Sequence, residues 1–134
     1  MSLTTVTKQL QRLTRIRNSR YPIVSCYLKL EPRDRARGKY LIKLKNRIRN
    51  VQESLPSLGF TNSERDTVTK DLGLIYRDLE RTSSLPGTQG IAVFASTGLG
   101  LFERVALPTV HRSRLVVDRS PLVRELLAAE DEVG

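Results

Sequence analysis

Apolar residues recur at helical spacing in several stretches and in alternation or continuous runs in others, so the chain reads as helices mixed with strands. Val6, Leu10, Leu13 and Ile16 step by three and four residues, which predicts a first helix over residues 4–17. Val24, Cys26, Leu28 and Leu30 alternate with Ser25, Tyr27 and Lys29, the period of a strand with one buried face. Tyr40, Leu41, Leu44, Ile48, Val51 and Leu55 then fall on one stripe of a single helix from Arg33 to Leu55. Ile42 points away from that stripe. Val68, Leu72, Ile75, Tyr76 and Leu79 form another stripe, running to about Arg81. Ser63 is read as the start of this helix, with Asp66 closing a capping box. Gly90 to Ala95 is a nearly continuous apolar run, as a central strand covered on both faces requires. Ser96-Thr97-Gly98 turns it into a second strand, GLFERVAL, and Arg114–Asp118 supplies a short third. Ser120-Pro121 starts a last helix through Leu122, Val123, Leu126 and Leu127.

This order predicts an α/β protein of the α+β type. A mainly antiparallel sheet of about four strands carries helices on both faces, two of them paired as a long helical hairpin. Residues 1–134 are read as one domain. Hydrophobic content of 39% against 28% charged residues is enough to build a core, which excludes a disordered chain. One cysteine excludes an internal disulfide and fits a reducing compartment. With no apolar run of membrane-spanning length and no signal-peptide core, a cytoplasmic protein without membrane association is expected.

The distribution of charge is more informative than the composition. Residues 1–50 carry 14 basic and 2 acidic side chains, whereas residues 51–134 carry 9 and 12. Eight of the seventeen residues from Arg33 to Arg49 are Lys or Arg, opposed only by Asp34. An ordinary surface helix balances its charges with acidic partners four residues away; this one lacks them, which points to an anionic partner. On the helical phase, Lys43 and Arg47 flank the apolar stripe on one side and Lys45 on the other. Arg35, Lys39 and Arg49 lie further round, towards solvent. These six are the candidate RNA-binding residues, because cations on a rigid helix hold phosphates without reading bases. At the expected hairpin tip, Phe60, Thr61, Asn62 and Ser63 form a candidate contact loop. Phe60 either stacks on a splayed base or tucks under the hairpin.

Chemistry for catalysis is thin. His111 is the only histidine and has no Cys or carboxylate cluster around it. Cys26 lies on an apolar strand face, where a thiol is inert. Gly98-Leu99-Gly100 opens a strand instead of a helix, so it is no phosphate loop. No catalytic residue, metal or cofactor is expected, and the chain is not read as an enzyme.

YPIVSCYLKLEPRD, the helical hairpin, GIAVFASTGLGLFERVALP and LVVDRSPLVREL together resemble the N-terminal domain of the archaeal and eukaryotic class-1 peptide chain release factors. The nearer likeness is to their bacterial release-factor-like relatives. The resemblance runs from about Val6 to Glu130, with Pro32 and Asp34 at the family's proline-and-aspartate turn. It implies a translation-related domain that docks on ribosomal or other structured RNA, with further domains after Gly134. It also shows departures. The family's codon-reading Asn-Ile-Lys-Ser tip is replaced by Gly59-Phe60-Thr61-Asn62-Ser63-Glu64. Val116–Leu122 lacks the residues of its Tyr-x-Cys-x-x-x-Phe motif, and no Gly-Gly-Gln occurs. The expected function is therefore RNA or ribosome binding without codon reading. The alternatives are a protein-interaction or scaffold domain with a basic solvent face, and a fragment of an enzyme whose active site lies in further domains.

Overall fold

The computed structural model describes residues 3–81, 85–124 and 126, with side chains from Lys8 onward. Helix α1 (Leu3–Thr14) precedes strand β1 (Ile23–Lys29), a short helix α2 (Pro32–Arg35), and the long helices α3 (Lys39–Ser54) and α4 (Asn62–Glu80). Strands β2 (Gly90–Ser96), β3 (Leu101–Leu107) and β4 (Arg114–Asp118) complete the sheet. The strand order is β3-β2-β1-β4, and every neighbouring pair is antiparallel. This is the α+β architecture expected from the pattern, with the helical hairpin on one face of the sheet and α1 on the other.

Alternation along the two central strands divides the core in two. Val24, Cys26, Leu28, Ile91, Val93 and Ala95 face α3 and α4, where they pack with Leu44, Leu72, Ile75 and Leu79. Tyr27, Ala92, Phe94, Val105 and Leu107 point the other way, onto Leu10, Leu13 and Leu126. β1 is therefore buried on both faces, where the alternation suggested only one. Its polar positions are satisfied by the segment that follows β4. Ser25 Oγ accepts from the Leu122 amide at 3.0 Å, and the Tyr27 hydroxyl donates to the Leu122 carbonyl. Tyr27 also meets Phe94 edge to face at 5.9 Å.

The predicted helix from Arg33 to Leu55 is two helices. A single turn of 3-10 geometry at Ala36–Gly38 breaks it, with Arg37 (φ 55°) and Gly38 (φ 66°) both left-handed. Gly38 adopts that conformation freely, whereas Arg37 is held there at a cost of about 1 kcal/mol. The break resets the helical phase. In α3, Tyr40 and Leu44 are buried, Leu41, Ile48 and Val51 pack against the same core, and Ile42 is 60% exposed.

Thr61, two residues earlier than Ser63, caps α4. Its Oγ1 accepts from the Glu64 amide at 3.1 Å, and Glu64 Oε1 accepts from the Thr61 amide at 2.9 Å. Glutamate reaches back to the cap where the shorter Asp66 is a poorer partner. Further along α4, the buried Asp71 carboxylate accepts from the Thr97 amide and hydroxyl, tying the helix to the β2–β3 turn. The first helix ends at Thr14, before Arg17. Pro121, Leu122 and Val123, where a last helix is expected to start, are not helical; Leu122, Val123 and Leu126 nevertheless pack on the α1 side, and Leu127 lies outside the described residues.

Candidate functional site

The six candidate cations separate into three environments. Arg35, expected in solvent, is turned inward because the break after α2 takes it off the α3 face. Its Nε donates to the Leu30 carbonyl at 2.8 Å, and its Nη2 donates to the carbonyls of Thr88 (2.8 Å) and Pro86. One guanidinium thus joins the end of β1 to the loop before β2. Replacing Arg35 by Gln leaves those carbonyls short of donors. The variant is expected to lose about 3 kcal/mol of stability in urea denaturation.

Arg47, expected at the flank of the apolar stripe, is half-buried. It leans from α3 into an open groove of about 330 Å³ that is shared with Arg112, Ser113, Arg114, Leu115 and Val116. Its Nε is buried with no hydrogen-bond partner among the described residues. Its charge acts on Cys26, whose pairing partner in β4 is Leu115. Burial nevertheless dominates there and pushes the thiol up to about 12, so Cys26 stays protonated and unreactive at neutral pH. Arg112 and Arg114 were missed by sequence reasoning: both lie some 65 residues from Arg47 in a stretch with no helical period, and only the sheet brings them together.

Lys39, Lys43, Lys45 and Arg49 remain exposed on α3. Lys43 Nζ lies 3.5 Å from Asp34 Oδ1, while the other Asp34 oxygen accepts from the Glu31 amide at 3.2 Å. Lys39, Lys45 and Arg49 make no ion pair among the described residues. Four cations therefore stand on a helix of 16 residues, about 24 Å long, whose apolar side is fixed to the core.

The hairpin tip is committed to structure. Phe60 packs against the core, and the Arg119 guanidinium lies over its ring, 5.2 Å from the centroid. Arg119 Nη2 also pairs with Glu64 Oε2 at 2.8 Å. The backbone and Arg119 hydrogen bonds hold the Glu64 carboxyl below its usual range. Asn62 accepts from Arg65, and Thr61 is the cap. Ser63 is exposed in the first turn of α4. Of the two readings for Phe60, the tucked one is observed.

Among the described residues, no His, Cys, Asp and Glu side chains cluster in a way that could hold a metal ion. No helix among them is long and apolar enough to cross a membrane. No protein-family model matches the chain, and no curated protein matches it. A solved structure named "Archaeal protein" is similar, with a TM-score of 0.68 and 17% identity; the match covers 96% of this chain and 35% of that one. The present chain thus spans about a third of that protein's length, and at this identity the likeness shows the fold alone.

Proposed function

We propose that this domain binds structured RNA through the exposed cations of α3, with ribosomal RNA the target that the release-factor resemblance suggests. One observation carries the reading: Lys39, Lys45 and Arg49 stand on a rigid helix without acidic partners among the described residues, and Lys43 adds a fourth charge beside Asp34. Fixed cations gain affinity from Coulomb attraction and counterion release, and a packed helix loses little entropy on binding. Lys39 to Lys43 and Lys45 to Arg49 are each one step of four residues, about 6 Å along the axis, so each pair reaches neighbouring phosphates of one strand. The surface reads charge and position, with no group placed to read a base. Codon reading is not part of this function, because Thr61, Glu64 and Phe60 are engaged in the cap and the core.

The test is a titration against a folded RNA hairpin at several salt concentrations. Binding is expected to weaken with salt, with a log–log slope of about −3 for four phosphate contacts. Failure of the wild-type protein to bind the hairpin at low salt would refute the reading and leave the basic face as a scaffold or solubility feature.

A further inference from the structure

None of the exposed cations of α3 lines the groove beside Arg47, and its lining identifies it. Side chains of a strand alternate between the two faces of a sheet. Here consecutive residues from Arg112 to Val116 all line the groove, so it runs along the free edge of β4 and not over a face. β4 is the last strand of the sheet and bonds β1 on one side. Among the described residues no strand pairs with its other side. An edge of this kind presents backbone N–H and C=O groups in alternation, a pattern that an added peptide strand matches group for group.

Charge narrows the partner further. Arg47 approaches from the α3 side with its Nε buried and unpartnered, and Arg112 is exposed with no ion pair among the described residues. Ser113 Oγ accepts from the Lys29 amide at 3.0 Å, which fixes the turn leading into β4. Among the described residues, no acidic one lines this groove. The opposite edge, β3, differs. The groove beside it carries charges of both signs, Arg77, Asp78 and Arg81, with Leu74 and Phe102. Of the two sheet edges, the β4 edge is the one whose described lining is one-signed.

We propose that the β4 edge is a docking site for an extended acidic peptide, which adds to the sheet as a fifth strand beside β4. Its carboxylates would meet the exposed Arg112 on one face of the added strand and the Arg47 guanidinium on the other. Apolar side chains between them would rest beside Leu115 on the α3 side.

The experiment uses the full chain and a fluorescent nine-residue peptide of three Val-Glu-Glu repeats, which carries carboxylates on both faces of an extended strand. Its controls are the Val-Lys-Lys counterpart and a Val-Glu-Glu version N-methylated at every second backbone amide. The acidic peptide is expected to bind about 10-fold more tightly than either control and to slow amide exchange within Leu115–Asp118. Arg112→Glu and Arg47→Met should each weaken it several-fold, while Lys45→Glu leaves it unchanged. Circular dichroism verifies that each variant is folded. Three results overturn the proposal: no binding of the acidic peptide, equal binding of its N-methylated form, or protection of the β4 amides by the RNA hairpin but not by the peptide. The last would make the groove part of the RNA surface. Hairpin binding that Arg47→Met and Arg112→Glu leave intact would show the two surfaces to be separate, so either can fail without the other.

Discussion

Leu44→Asp is expected to unfold this protein or leave it barely folded. Leu44 is fully buried at the centre of α3, against β1, β2 and α4. A carboxylate at this position gains no hydrogen-bond donor in an apolar shell and has no route to solvent. Burying it unpaired costs on the order of 3–5 kcal/mol, against a total stability of about 5–15 kcal/mol for a domain of ordinary size. Two substitutions on the same helix calibrate the effect. At Ile48, which is only partly buried, an aspartate can turn towards water, so the loss should be smaller. Ile42 is 60% exposed, and Ile42→Asp should stay within about 0.5 kcal/mol of the parent. Urea denaturation of the three variants measures this order. If Ile42→Asp proved the most damaging, the helical phase of α3 would be wrong.

That phase was legible in the sequence because a stripe repeating every 3.6 residues over four turns has one packing solution. The same holds for the α4 stripe and for the apolar run of β2, whose Ile91–Ala95 segment is buried throughout. What escaped was set by contacts distant along the chain. Ser25 and Tyr27 look like outward-facing strand residues until the Leu122 backbone arrives to satisfy them. Arg35 has the composition of a solvent cation, and it becomes a clamp because three carbonyls converge on it. Gly38 was a weak local sign of the break after α2, since a lone glycine within a helical pattern is often tolerated. The Thr61–Glu64 cap has the local spacing of a capping box, but the reading from sequence takes Ser63, with the poorer partner Asp66, in its place. The α3 cations were visible as a cluster, whereas their division between solvent face, groove and clamp depends on where the sheet edge falls.

Reversing Lys39, Lys45 and Arg49 to Glu should weaken binding to the RNA hairpin by about 100-fold or more near physiological salt, and flatten the salt slope by about three contacts. These three are chosen because none has an ionic partner to lose among the described residues. Lys43 is left in place, since a carboxylate there would face the buried Asp34 and destabilise the α2–α3 junction. Helix stability should change little. Lys45 and Arg49 already repel each other across one turn, and a pair of carboxylates repels by a similar few tenths of a kcal/mol. A negative charge at position 39, the first residue of α3, interacts favourably with the helix dipole. Circular dichroism and the urea midpoint should therefore match the parent, so that any loss of binding is electrostatic. Arg47→Met serves as the internal comparison, because it removes a cation from the same helix but from the groove side. It should lower RNA affinity far less than the triple reversal does. A folded triple variant that still binds RNA like the parent would remove α3 from the interface.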